Sequence, residues 1–198
     1  LADTSADEIY NLGGISSIVE SFNDPVGTHA VNVGAVRTIL EALAESPGHG
    51  RLVQASSGTI FEKTDVAPQN EATPRAPHSP YAKAKAEAMD LIAQYRADHG
   101  VHASAAILYN HESPLRGSGF VTRRITEGVA RIAAGLQQGL ELGNLDVSRD
   151  WGWAPDYVRG MQLMMRAYEP RDYLFATGQT HQLGEFLELA FAAVGIDN

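Results

Sequence analysis

Apolar positions along the chain follow two periods that alternate from its start to about residue 110. Glu8-Ile9-Tyr10-Asn11-Leu12 has the texture of a short buried strand and ends in Gly13-Gly14. Val31, Ala35, Ile39 and Leu43 then recur at helical spacing and predict an amphipathic helix over Thr28–Glu45. Arg51–Ala55 reads as a strand running into Ser56-Ser57-Gly58-Thr59, and the proline-rich, polar stretch 63–77 reads as a loop. Ser79-Pro80 supplies an N-cap and a first helical position, so a helix is predicted from Pro80 to about Asp98, closed by His99-Gly100. His102–Tyr109 is an apolar strand. Strands alternating with helices of this length predict βαβ units and a parallel sheet, whose ligands sit beyond the carboxyl ends of its strands. Asn11–Gly14, Ser56-Ser57 and Tyr109-Asn110-His111 all lie at such ends and are predicted to line one crevice.

From Glu112 the texture changes. A loop over Ser113–Gly119 leads to a helix over Val121–Ala134 and a short strand at Leu140–Gly143. After Ser148–Trp153 come a helix over Ala154–Ala167, a strand at Tyr173–Ala176 and an amphipathic helix over Leu183–Val194. Residues 1–111 are therefore read as the main α/β domain, and 112–198 as a small mixed lobe that partly returns to it.

The composition narrows the class. The chain has 198 residues, enough for one ordinary domain with a substantial core. It has no cysteine, which excludes disulfides and thiolate metal sites and fits a cytoplasmic protein. No apolar run approaches a membrane span, and no signal-peptide pattern opens the chain, so no membrane partner is expected. A net charge of −9 argues against nucleic-acid binding. An anionic ligand would need a local basic patch, and Arg116, Arg123, Arg124 and Arg131 are candidates for one. His29, His49, His99 and His181 have no ligand spacing between them, so no metal site is expected.

The candidate chemistry sits in His78-Ser79-Pro80-Tyr81-Ala82-Lys83-Ala84-Lys85. Tyrosine and lysine four residues apart project from one helix face, and an adjacent ammonium would favour the phenolate of Tyr81. That combination suits an acid/base near neutral pH. By itself the spacing more often marks a solvated helix pair, and its weight comes from Ser56-Ser57 at the preceding strand end. A nucleotide-binding domain of this kind normally opens with a glycine-rich turn between strand and helix. No such turn occurs here: Gly13-Gly14, Gly48-His49-Gly50 and Gly117-Ser118-Gly119 lack the strand–turn–helix context.

Tyr-x-x-x-Lys after Ser56-Ser57, together with Asn11-Leu12-Gly13-Gly14, resembles the extended short-chain dehydrogenase/reductase superfamily of nucleotide-sugar enzymes. Three longer strings resemble its GDP-mannose 4,6-dehydratase family: Leu108-Tyr109-Asn110-His111-Glu112-Ser113-Pro114, Phe120-Val121-Thr122-Arg123-Arg124-Ile125-Thr126, and Gly143–Gly152 around Ser148-Arg149-Asp150-Trp151. The likeness runs from about Glu8 to Ala193. It implies a Rossmann-like doubly wound parallel sheet lacking its N-terminal βα units, with a small C-terminal substrate lobe. It also implies that the phosphate-binding glycines precede Leu1 in a complete enzyme, and that a later C-terminal part follows Asn198.

The resemblance further implies a redox elimination on GDP-mannose using tightly bound NADP. Hydride leaves C4, water is lost across C5 and C6, and hydride returns to C6. Tyr81 would take the C4 hydroxyl proton, Lys85 would lower its pKa and hold the nicotinamide ribose, and Ser57 would hydrogen-bond O4. Leu12, Gly13, Gly14, Ile15 and Ser16 would meet the cofactor on its adenine side. His111 and Arg116 match further NADP contacts, with Leu115 standing where the family pattern has the first arginine of a pair. Asn110, Arg124 and Arg149 match positions that meet the substrate's nucleotide. Trp151 and Trp153 are read either as base-stacking groups or as buried anchors. A homo-oligomer, dimer or tetramer, belongs to the same expectation.

Thr59 departs from the pattern, which has a glutamate there to remove the C5 proton. A threonine hydroxyl has no useful basicity near neutral pH. Phe61 and Glu62 stand where the pattern has tyrosine and glycine, and odd spacing along an extended strand would point Glu62 away from Thr59. Three readings stay open: a GDP-mannose 4,6-dehydratase-like enzyme, a nucleotide-sugar C4 epimerase or reductase of the same superfamily, and a non-catalytic remnant.

Overall fold

The computed structural model describes residues 6–46, 48 and 50–196; His49 lies outside them. In chain order the elements are β1 (Glu8–Asn11), α1 (Ile18–Asn23), α2 (Pro25–His29), α3 (Ala35–Glu45), β2 (Arg51–Ala55), α4 (Pro80–His99), β3 (Ala103–Leu108), β4 (Asn110–Glu112), α5 (Val121–Ala133), β5 (Ser148–Trp153), α6 (Ala154–Arg166), β6 (Tyr173–Phe175), β7 (Thr180–Gln182) and α7 (Leu183–Ala192). A π-helical turn over Ala30–Gly34 joins α2 to α3, and a 3-10 turn over Gly58–Phe61 follows β2. The chain divides into two compact units, residues 1–109 with 157–175, and residues 110–156 with 176–198.

The first unit is built on a parallel sheet in the order β1-β2-β3-β6. Leu52 and Ile107 face one side of the sheet, where Val33, Val36, Leu40 and, from α4, Ala84, Ala88, Met89 and Ile92 close a core. Val53, Ala106 and Leu108 face the other side and pack on Tyr157, Met161, Met164 and Met165. A parallel sheet covered on both faces needs near-continuous apolar strands, and β3 is buried at all six positions. Leu40 and Ile92 are wholly buried; each such side chain contributes about 1.5–3 kcal/mol through apolar area removed from water. Because the strands are parallel, Asn11, Ala55 and Leu108 end on the same edge of the sheet.

Helix α4 carries Tyr81 and Lys85 and has strong local stops. The Ser79 hydroxyl accepts from Ala82 N at 3.1 Å, Pro80 occupies the first turn, and Gly100 ends the helix with φ at +64°. At its far end Arg96 forks onto Asp172 at 2.8 and 3.0 Å, and the same carboxylate accepts from Ala105 N at 2.9 Å. One acid thus ties α4, β3 and the approach to β6 together.

In the second unit β5 pairs in parallel with β4 and antiparallel with β7. Ile125 and Val129 of α5 and Leu183 of α7 form its buried centre, joined by Leu140, Leu142, Leu145, Trp151 and Phe186. Asp150 is buried and accepts from Thr177 N, Thr177 Oγ1 and Gly178 N at 3.0, 2.9 and 2.8 Å.

Several elements differ from the sequence pattern. The helix expected at Thr28 begins three residues earlier, because Asp24 caps Gly27 N at 2.8 Å and Pro25 starts the turn. The strand expected at Leu140–Gly143 is irregular: Leu140 and Leu142 pack into the core, but β5 takes its ladder bonds from β4 and β7. Among the described residues no helix is long and apolar enough to cross a membrane.

Candidate active site

At the edge of the sheet where β2 ends, the chain leaves Ala55 in extended form and turns into the 3-10 turn after Ser57. Ser57 Oγ accepts from Thr59 N at 3.3 Å and from Thr59 Oγ1 at 3.0 Å. The Ser57 hydroxyl lies beside the phenol of Tyr81 and favours its phenolate. Thr59, Ser57 and Tyr81 therefore form a file of three hydroxyls, held by a strand end and the first turn of α4. Gly58 leaves room for this turn: a Cβ there would meet the Tyr109 ring at 2.9 Å.

Tyr81 and Lys85 are both buried in the first turns of α4. Burial raises the phenol of Tyr81 above its ordinary pKa, and the Ser57 hydroxyl works in the opposite direction. Burial pushes Lys85 down to about 8. The Lys85 ammonium lies 5.7 Å from the Tyr81 ring centroid and donates to the Ala55 carbonyl at 2.9 Å. The expected lowering of the Tyr81 pKa by Lys85 is therefore not what the geometry gives. Desolvation dominates, and Ser57 is the group that favours the phenolate. At neutral pH Tyr81 holds its proton and is placed to donate it.

Lys85 also marks a place for a nucleotide cofactor. Leu12, Gly13, Gly14 and Ser16 are exposed after β1, and Ile15 is half-buried. A Cβ at Gly14 would fall 2.7 Å from Asn32 Oδ1 and 3.6 Å from Lys85 Nζ, so the backbone there runs directly beside the ammonium. Asn32, in the π-helical turn, holds Ile15 at both ends of its amide, accepting from Ile15 N at 2.9 Å and donating to Ile15 O at 3.0 Å. An exposed glycine backbone next to a buried ammonium fits the ribose and phosphates of NADP. Asn32 was not singled out from the sequence, although a polar residue between Val31 and Val33 on a helical face is the signal that it does something specific.

For Glu62 the structure replaces the physical reason, not the expectation that it does not stand in for a base at residue 59. The chain after Ser57 is a turn and not an extended strand, so alternation does not govern where Glu62 points. Its carboxylate accepts from His78 N at 3.0 Å, Ser79 N at 2.9 Å and Ser79 Oγ at 2.9 Å. It is engaged at the start of α4.

The remaining candidates lie in the second unit. Asn110 and His111 are half-buried on β4, paired in register with Trp151 and Gly152. Arg116 pairs with Glu112 at 3.3 Å and stacks over Phe120 at 3.6 Å, while Leu115 beside it is exposed. Arg124 is exposed and donates to Glu141 O at 3.3 Å; Arg149 is exposed and donates to its neighbour Ser148 O. Arg123 pairs with Glu127 at 2.7 Å, and Arg131 donates to Gln137 at 3.2 Å. The four arginines read as a basic patch are thus each engaged by a neighbour. Trp151 is a core anchor against Phe186, whereas Trp153 is half exposed. A pocket of about 340 Å³ is lined by Glu112, Pro114, Arg116, Arg123, Trp153 and Phe186, among others. Among the described residues no three His, Asp or Glu side chains gather as a metal-binding group.

Comparison with known proteins agrees with this arrangement. The chain is 42% identical to a GDP-mannose 4,6-dehydratase of Vibrio cholerae serotype O1 over 100% of its own length and 53% of the relative's. It is 45% identical to one of Sinorhizobium fredii, covering 98% of this chain and 56% of that one. For GDP-mannose 4,6 dehydratase 1 of Arabidopsis thaliana the identity is 44%, over 96% and 54%. The chain spans about half the length of these curated relatives. Among solved structures it superposes on RMD from Pseudomonas aeruginosa complexed with NADPH with a TM-score of 0.92 and 27% identity, covering 100% of this chain and 70% of that one. A match to the family described as GDP-mannose 4,6 dehydratase extends over residues 1–198. With that match added to the strand-end serine, the buried Tyr81–Lys85 pair and the parallel sheet, the chain belongs to the GDP-mannose 4,6-dehydratase family.

Proposed function

We propose that this chain is the catalytic part of an NADP-dependent enzyme of GDP-mannose 4,6-dehydratase type, acting at C4 of the sugar. The observation that carries the reading is the buried Tyr81–Lys85 pair beside Ser57 at the end of β2, with the Lys85 ammonium next to the exposed backbone of Gly14. NADP, when bound, supplies two-electron oxidation and reduction of the sugar carbon. The chain's own residues manage the proton. Tyr81 exchanges it with the C4 oxygen, and Ser57 hydrogen-bonds that oxygen or the phenolate, whichever carries charge. Lys85 offers N–H groups to ribose hydroxyls. Leu12, Gly13, Gly14, Ile15 and Ser16 hold the cofactor's adenine side, and His111 and Arg116 are further cofactor contacts. Asn110, Arg124 and Arg149 are substrate contacts, the arginine forks being suited to diphosphate oxygens. A cytoplasmic homo-oligomer, dimer or tetramer, is part of the same reading, and sedimentation of the full-length protein tests the assembly.

Thr59 favours a second reading. Loss of water across C5 and C6 needs a base for the C5 proton, and the nearest carboxylate in sequence, Glu62, is bound to the start of α4. A tyrosine that holds its proton and two further hydroxyls suffice for reduction or epimerisation at C4. The test is product analysis of full-length protein given GDP-mannose with NADP, and a 4-keto sugar nucleotide with NADPH. Loss of water from GDP-mannose supports dehydration, and reduction or inversion at C4 without it supports the second reading. Absence of both, with no NADP binding by calorimetry, overturns the enzymatic reading.

A further inference from the structure

The turn that carries Ser57 and Thr59 and the helix that carries Tyr81 and Lys85 are separated by the loop 62–79, yet the hydroxyl file requires them in register. Two backbone bonds bring them close: Ala76 N donates to Ile60 O at 2.8 Å, and Lys63 N donates to Ala76 O at 3.1 Å. The third tie is a side chain. One carboxylate oxygen of Glu62 accepts from the backbone of His78 and Ser79, and the other accepts from the Ser79 hydroxyl. Ser79 is buried, is the N-cap of α4, and stands two residues before Tyr81. At the other end, Glu62 N donates to Thr59 O at 3.0 Å, so the backbone of Glu62 closes the turn that presents Thr59.

We propose that Glu62 is a positioning residue, which fixes the Ser57–Thr59 turn against the first turn of α4 and thereby holds Ser57 beside Tyr81. The Ser79 hydroxyl already caps Ala82 N at 3.1 Å without the help of Glu62. Glu62 instead uses both oxygens and binds the capping hydroxyl itself, so the cap cannot move without the turn. Charge-assisted bonds of this kind are about twice as strong as neutral ones. With the backbone ties intact, removing the carboxylate loosens the register without unfolding the sheet.

The inference rests on Tyr81 being the acid/base of the proposed enzyme, so the experiment reads the phenol and not turnover. Full-length protein carrying tyrosine labelled with ¹³C at Cζ is titrated by NMR between about pH 8 and pH 12, the Tyr81 signal being identified by its loss in Tyr81→Phe. Ser57→Ala sets the full effect of losing the hydroxyl that favours the phenolate, an upward movement of the phenol's midpoint. Glu62→Ala is expected to reproduce most of that movement. Glu62→Gln keeps one acceptor oxygen and is expected to move part of the way, which decides the matter if the alanine variant does not fold. A Tyr81 midpoint unchanged in the Glu62 variants, with only a lower melting temperature, reduces Glu62 to a helix cap and overturns the proposal. A midpoint that moves in Glu62→Ala but not in Ser57→Ala overturns the route through Ser57. Either result stands whether or not the protein turns over GDP-mannose.

Discussion

The Thr59 hydroxyl donates to Ser57 Oγ at 3.0 Å, and Ser57 in turn stands beside the phenol of Tyr81. Since Ser57 Oγ already accepts from Thr59 N and Thr59 Oγ1, its own hydrogen is left to donate. Thr59 is then more than a missing carboxylate: it holds the hydroxyl that stands beside the proposed acid/base. In full-length protein, Thr59→Val keeps the shape and removes the donor. Turnover at C4 is expected to fall about 3- to 10-fold, with KM changed less than about two-fold. Steady-state kinetics checks this, and unchanged turnover would remove Thr59 from the file.

The converse substitution tests the reaction type. Thr59→Glu places a carboxylate in the same turn, next to the acid/base. A base positioned for proton transfer contributes about 10²- to 10⁴-fold, so water-eliminated product should rise at least tenfold over the parent protein, measured by mass spectrometry of the nucleotide sugar. No rise, in a variant that still binds NADP, would mean that the turn itself and not residue 59 limits elimination.

Much of the first unit is legible in the sequence because its signals are local. Ser79-Pro80 and Gly100 bracket α4, and β2 and β3 announce themselves as apolar runs. Helix α4 shows little amphipathic contrast, since alanines and Tyr81, Met89, Leu91 and Ile92 bury most of its circumference, and only its caps betray it. What escaped was either short or set by tertiary contact. The six residues of α1 leave Val19 and Phe22 exposed, and β4 and β7 have three residues each, too few for a period to appear. For Glu62 only the reason differs: the segment after Ser57 is a 3-10 turn, so strand alternation does not set its direction.

Tyr81→Phe is the direct test of the acid/base. The ring stays packed and only the hydroxyl is lost, so the melting temperature should stay within a few degrees of the parent's, while kcat falls about 10²- to 10⁴-fold. Retention of more than about a tenth of the activity would assign the proton transfer elsewhere.

In the second unit Asp150 is the residue whose loss should cost most. It is 7% exposed and accepts three hydrogen bonds from Thr177 and Gly178, next to the pairing of β5 with β7. Asp150→Ala leaves these donors without their acceptor, at a cost of about 2–4 kcal/mol. Hydrogen exchange should show lost protection over residues 177–182 first. Uniform loss across the chain, or none, would contradict a local anchoring role.

Lys85 gives a pH dependence whose sign follows from burial. In the fold its ammonium has been pushed from 10.5 down to about 8, and at 5% exposure solvent screens it little. Between about pH 8 and pH 10 the unfolded chain therefore keeps a proton that the folded chain has lost, and stability rises with pH. Below about pH 8 both states hold the proton and the burial cost is borne in full. Above about pH 10 Tyr81 opposes this, because its raised pKa keeps a proton in the fold that the unfolded chain gives up. The useful window thus lies below the tyrosine range. Urea unfolding of the parent protein and of Lys85→Met, compared at each pH, isolates the contribution. The parent should gain about 2 kcal/mol relative to the variant between about pH 7 and pH 10. A flat difference would mean that Lys85 titrates near its ordinary value, with water reaching the ammonium, and that the desolvated cation beside Tyr81 does not exist in solution.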